Sequence, residues 1–170
     1  RAISFEKDAV TVSKLGLNDE LIRRLNRNMM LFYTNITRPS ESILVEQREN
    51  ISEREDSLAG LRELAVQARD CLKNGDLSEF GNMLHNGWEL KRGLASGVSN
   101  QNLDDLYNAS RKAGAIGGKI AGAGGGGFLL LYAPLAAQDN VRNALSNLRE
   151  LPFLFERDGS RVVFDLGRSK

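Results

Sequence analysis

Seventeen glycines occur in this 170-residue chain, and eight of them fall between Gly114 and Gly127. The last six positions of that stretch, Gly122-Ala123-Gly124-Gly125-Gly126-Gly127, hold nothing larger than alanine. They cannot sustain a helix, because glycine loses the most backbone freedom on ordering and has no side chain to bury. They can adopt positive φ in succession, turn backbone N–H groups toward an anion and admit another backbone at close range. A simple corner needs far fewer glycines, so close approach by a ligand or a neighbouring segment is the expectation. The stretch literally satisfies G-x-G-x-x-G, but a dinucleotide fingerprint needs a strand before it and a helix after it. Here the pattern predicts a helix before and a strand after. It is not a Walker loop either, since Ile120 follows Lys119 and Ala113 stands where the first glycine belongs.

The flanks have clear periodicity. Alternation at Ile3, Phe5, Val10 and Val12 predicts a hairpin across Lys7-Asp8. Leu21, Ile22 and Leu25 mark a helix opened near Asn18, and Met29–Tyr33 is a short apolar run suited to a buried strand. Arg38 precedes proline and is biased away from helix, so a helix is expected to begin with Pro39 at its first position. Leu58, Leu61, Ala65, Ala68 and Leu72 recur at helical spacing from Glu53 to Lys73, with Asn74-Gly75 as a left-handed stop. Asp76 to Glu79 resembles a capping box ahead of a helix carrying Leu77, Phe80, Leu84 and Trp88. Asn102 is the expected cap of a helix that ends at Gly114. Phe128–Tyr132 predicts a strand stopped by Pro134. A helix is expected over 135–150, with Val141, Leu145 and Leu148 inward. Phe153–Glu156 and Arg161–Phe164 are expected to pair across Asp158-Gly159. The order is strand-helix-strand, a helical block over 38–114, then strand-helix-strand. It fits an α+β fold, a split βαβ (ferredoxin-like) antiparallel sheet with helices on one face and a helical insertion.

Composition closes off other classes. Basic and acidic residues number 23 and 22, a balance that gives no electrostatic footprint for nucleic acid. Cys71 is the only cysteine, which excludes a disulfide scaffold. No apolar run approaches the roughly 18 residues of a membrane span. No signal-peptide core is visible near Arg1, so a cytoplasmic chain is expected. The non-Met start within a strand-like stretch suggests a fragment, a trimmed tag or a processed chain giving the same start.

The string Gly118-Lys119-Ile120-Ala121-Gly122-Ala123-Gly124-Gly125-Gly126-Gly127-Phe128 resembles the C-terminal glycine motif of the GHMP kinases. Leu31–Arg38, His85–Arg92 and Gly114–Lys119 resemble the branch that phosphorylates the anomeric oxygen of D-glycero-D-manno-heptose 7-phosphate, with fucokinase-type sugar 1-kinases close in pattern. The likeness runs from Phe5 to Phe164, so residues 1–170 are identified as a GHMP kinase C-terminal domain. By that resemblance the full enzyme binds ATP, Mg2+ and a phosphorylated sugar between two domains. Its Pro…Gly-Leu-Gly-Ser-Ser-Ala phosphate loop and catalytic acidic residue belong to an N-terminal domain absent from these residues. No catalytic residue and no metal ligand is therefore assigned here, and the chain alone is expected to be inactive. The hairpin at 1–14 is expected near the domain junction, with self-association through the uncovered face. Asn35 departs from the glycine expected in the heptose branch, but asparagine tolerates left-handed backbone.

On this likeness Gly122, Gly124, Gly125, Gly126 and Gly127 support the nucleotide or the phosphate loop. Thr34, Thr37 and Arg38 are candidates for the sugar phosphate, because a helix N-terminus and a guanidinium fork both suit phosphate. Lys91, one turn beyond Trp88, is a further phosphate candidate. The opposing expectation is solvated surface for Arg38 and Lys91, and packing for His85, Trp88 and Cys71. A rival from another class is a non-catalytic helical module that docks a protein partner through the 38–114 block.

Overall fold

The computed structural model describes residues 1–156 together with Gly159 and Phe164. A hairpin, β1 (Ala2–Phe5) and β2 (Val10–Ser13), precedes α1 (Asp19–Asn28) and β3 (Met29–Tyr33). The helices α2 (Ser40–Glu49), α3 (Glu55–Asn74), α4 (Leu77–Arg92) and α5 (Gln101–Lys112) follow. The chain then returns through β4 (Gly117–Ile120), β5 (Phe128–Tyr132), α6 (Gln138–Ala144) and β6 (Arg149–Glu150). The main sheet has the order β4-β5-β3-β6, antiparallel throughout. Counted within this sheet alone the order is second, third, first, fourth, the split βαβ arrangement that the sequence pattern predicts.

Local chemistry explains the element ends. Asn18 Oδ1 accepts from Leu21 N at 2.8 Å and opens α1. Asp76 Oδ1 accepts from Glu79 N at 3.0 Å and opens α4, and Gly75 closes α3 at φ +77°. Asn100, not Asn102, caps α5, accepting from Leu103 N at 3.1 Å. Both asparagines precede the same apolar face, and sequence alone does not separate them. Pro39 is the N-cap of α2 rather than its first helical residue.

Side-chain alternation along β3 and β5 feeds two clusters. Met30, Phe32, Leu129 and Leu131 join Trp88, Val98, Leu103, Tyr107, Val141 and Leu145. Met29 and Tyr132 join Leu21, Leu25 and Leu77 in the second. The expectation of helices on one face is therefore incomplete, since α1 and the start of α4 cover part of the other.

Three further expectations change. The span over 135–150 is not one helix: α6 stops at Ala144, and Arg149–Glu150 pairs with Phe32 and Tyr33. Val141 and Leu145 are nonetheless fully buried. Phe153–Glu156 forms no strand, and most of its expected partner, Arg161–Phe164, lies outside the described residues. Finally, a helix does not lead directly into the glycine loop, because β4 intervenes. Two glycines hide this strand from propensity. At Gly117 the backbone of α4 lies so close that a Cβ would strike Gly81 O and stand 2.8 Å from His85 N. At Gly81 in turn a Cβ would meet Tyr132 at 2.7 Å and Ile116 at 2.9 Å. Glycine on both sides lets α4 lie against the strand at β4.

Candidate functional site

Residues 121–127 form the connection of a hairpin between β4 and β5, closed by a 2.8 Å bond from Ala121 N to Phe128 O. Five glycines in it have positive φ: +82° at Gly122, +114° at Gly124, +74° at Gly125, +151° at Gly126 and +84° at Gly127. L-residues adopt such angles only with strain.

The loop is fastened to its own domain. Gly125 N donates to Val98 O at 2.8 Å, and Gly127 N donates to Ile36 O at 2.7 Å. Gly127 O accepts from both Thr34 N and Thr34 Oγ1, each at 2.9 Å. Thr34 Oγ1 also accepts from Ile36 N at 3.3 Å. Thr34 is buried, so both roles of its hydroxyl are used inside the domain rather than toward a sugar. Asn35 takes φ +57°, the left-handed conformation anticipated for an asparagine in place of glycine. Among the described residues, the N–H groups of Gly122, Gly124 and Gly126 have no acceptor. Alternate amides therefore hold the loop down; of the others, Gly122 is exposed, Gly124 half-buried and Gly126 buried.

Two of the predicted cations reach this loop. A Cβ built at Gly125 would stand 3.5 Å from Arg38 Cδ, so the Arg38 stem lies against the loop. Arg38 and Thr37 are exposed just before the start of α2, where no side chain caps the helix. Lys91 comes from the last turn of α4, and its Nζ donates to Gly122 O. Burial, followed by the charge of Lys119, brings Lys91 down to about 8. Thr37 makes no side-chain hydrogen bond among the described residues.

Lys119 was not among the sequence candidates. It lies half-buried on β4 and lines a cavity of about 180 Å³ with Lys91. Recognising β4 would have found it. Side chains two apart on a strand share a face, and Gly117 faces α4.

His85 and Cys71 stay structural. His85 Nδ1 lies 2.8 Å from the Tyr107 hydroxyl, and burial holds the imidazole pKa below its ordinary value. Burial pushes the buried Tyr107 phenol up to about 12. The Cys71 thiol is also raised, by burial and then by Glu79, away from the reactive thiolate. Among the described residues no group of three or more His, Cys, Asp or Glu could hold a metal ion. Among the described residues no helix is long and apolar enough to cross a membrane.

Residues 68–150 match the family model "GHMP kinases C terminal". This chain carries a GHMP kinase C-terminal domain. It is 24% identical over 143 residues to a D-glycero-alpha-D-manno-heptose 7-phosphate kinase of Campylobacter jejuni, covering 83% of this chain and 42% of that protein. It is 31% identical over 128 residues to a bifunctional fucokinase/GDP-fucose pyrophosphorylase of Arabidopsis thaliana, covering 72% of this chain and 12% of that protein. The crystal structure of L. major mevalonate kinase in complex with R-mevalonate shares the fold, with a TM-score of 0.62 and 21% identity. That match covers 72% of this chain and 40% of the kinase. The chain thus spans less than half the length of these GHMP relatives.

Proposed function

We infer that this GHMP domain is the C-terminal part of an ATP-dependent sugar 1-kinase acting on the anomeric oxygen of D-glycero-D-manno-heptose 7-phosphate. The observation that carries this reading is the heptose kinase likeness over 83% of the chain, reaching across the glycine loop and its supports. The fucokinase likeness, at higher identity over a shorter span, supports a second sugar 1-kinase reading.

When bound, ATP supplies the transferred phosphoryl group and Mg2+ offsets charge on its oxygens. The unbonded N–H of exposed Gly122, with that of half-buried Gly124 behind it, would suit a phosphate or the backbone of a phosphate loop. The described residues offer no acidic cluster for the metal, which this reading leaves to the N-terminal domain. Arg38 would orient the sugar phosphate from one side of the loop and Lys91 from the other, with Thr37 at the solvent edge. Catalysis of this kind rests on positioning and charge stabilisation. The exposed apolar residues of the β1–β2 hairpin, Ile3, Phe5, Val10 and Val12, belong to the face that the N-terminal domain would cover.

The test is ADP release by a longer protein that contains this domain, with heptose 7-phosphate, fucose and mevalonate as acceptors. Turnover with the heptose phosphate, and none from the 170-residue chain alone, is the expected result. Preference for fucose would replace the substrate, and turnover by the chain alone would overturn the two-domain reading.

A further inference from the structure

A cavity of about 180 Å³ lies between α3 and α4, and shares Lys91 with the glycine loop. Its walls are apolar, from Leu61, Leu64, Ala65 and Ala68 on α3 and Met83 and Leu84 on α4. A volume of roughly 150 Å³ suffices for a benzene-sized body. The cavity exists because α3 packs one-sidedly on α4: none of its residues is fully buried, and Ala65 is exposed. Of the helically spaced Leu58, Leu61, Ala65, Ala68 and Leu72, only Leu61, Ala68 and Leu72 are half-buried.

Two lysines line this apolar space. Lys91 sits three residues after Trp88 on α4, and Lys119 projects from the α4-facing side of β4. Among the described residues neither forms an ion pair, and Lys91 donates only to the Gly122 carbonyl. Trp88, which also lines the cavity, has a buried indole N–H without an acceptor. Partly buried like charges without a counterion repel each other, and a bound anion removes that repulsion. Burial first, and then the charge of Lys119, lower the Lys91 value.

We propose that Lys91 and Lys119 form an anion site at an apolar cavity, taking a small organic phosphate monoester or carboxylate whose compact body rests against α3 and α4. The anionic group meets the two ammoniums, and the body displaces water from leucine and alanine walls. The site does not depend on phosphoryl transfer. Its anion can be the substrate's own phosphate or that of a separate small molecule.

The test is calorimetric titration of the 170-residue chain with phenyl phosphate, inorganic phosphate and benzyl alcohol at pH 7. Phenyl phosphate should bind more tightly than either, since each of the others lacks one half of the ligand. Lys119→Met and Lys91→Met should each weaken it about tenfold, equivalent to about 1.4 kcal/mol. Ala65→Phe should do the same by filling the cavity from an exposed position, with both lysines intact. Melting curves establish that each variant is folded. Displacement of phenyl phosphate by heptose 7-phosphate assigns the anion to the substrate, and retention assigns it to a separate ligand; both keep the site. Equal binding by wild type and folded Lys119→Met, or binding of benzyl alcohol as tight as phenyl phosphate, would overturn it. A chain that binds no phenyl phosphate beside a longer protein that phosphorylates heptose 7-phosphate ends this inference alone.

Discussion

Alanine at Gly125 and at Gly122 should have unequal effects, and the difference follows from the backbone around each. Both residues have positive φ, +74° and +82°, where an L-side chain costs about 1–2 kcal/mol. At Gly122 nothing lies within 4 Å of the added Cβ, so that strain is the whole effect. At Gly125 the Cβ would stand 2.7 Å from Ile43 Cδ1 and 2.9 Å from Gly97 O. Ile43 is 2% exposed and has little room to retreat, while the carbonyl belongs to the short turn that carries Val98. Overpacking of that kind adds about 1–3 kcal/mol, for a total of about 2–5 kcal/mol at Gly125. A domain of 150–250 residues loses about 2–4 °C in Tm per kcal/mol. Scanning calorimetry should therefore show Gly125→Ala melting roughly 10 °C below wild type, and Gly122→Ala within about 2–8 °C. Equal melting of the two variants, or a larger loss at Gly122, would refute the packing argument. Gly125→Val is consequently a poor probe of ligand approach, since it damages the fold first. Gly122→Ala keeps the loop anchored while placing a methyl on its open side.

Thr34→Val should cost about 1–3 kcal/mol in chemical denaturation, because Gly127 O loses one donor and Ile36 N loses its acceptor in a buried setting. Gly117→Ala should leave little folded protein by circular dichroism, as its Cβ collides with the α4 backbone. Gly87→Ala on the same helix should gain about 0.5–1 kcal/mol, having only Leu61 at 3.9 Å as a neighbour. Lys91, lowered from 10.5 to about 8, binds fewer protons folded than unfolded between those values. Stability should rise with pH across that window, and pH-resolved melting of Lys91→Met should lose most of that slope.

Much of the fold was legible because it is written in local patterns. Asp76 and Gly75 announce their caps by residue type, and β3 and β5 are apolar runs of strand length. β4 was not legible. Gly117 and Gly118 argue against a strand by propensity; the reason for Gly117 lies in α4, at Gly81 thirty-six residues away in sequence, and that for Gly118 in Leu130 and Leu131 of β5. The loss of β4 also hid Lys119, since its face follows from strand alternation. β6 failed differently. Its register with β3 depends on a turn after Ala144 that no glycine or proline marks. At the site, the resemblance offered Arg38 and Lys91 as candidates for a substrate phosphate, and the structure places the Arg38 stem against Gly125 and the Lys91 ammonium on the Gly122 carbonyl. The resemblance gave no sign that the Thr34 hydroxyl is already engaged.

The density of glycine at 122–127 thus has more than one physical cause. Gly124, Gly125 and Gly126 are glycine because Val98, Ile43 with Gly97, and Ile36 leave no space for a Cβ. Those neighbours come from the chain after β3, from α2 and from the turn before α5, so the loop ties the two ends of the helical block to the β4–β5 hairpin. Gly122 and Gly127 have open space and positive φ, and packing alone does not forbid a side chain there beyond the conformational strain. Gly127 is further held by bonds from Thr34 and to Ile36, which leaves Gly122 as the loop glycine with an open side, a free N–H and a carbonyl held by Lys91. A motif that looks uniform in sequence therefore separates into a structural middle and an approachable end. Lys91 holds the carbonyl at that end, so on the proposed reading a ligand anion reaching the loop from this side would meet the Gly122 N–H and the Lys91 ammonium together.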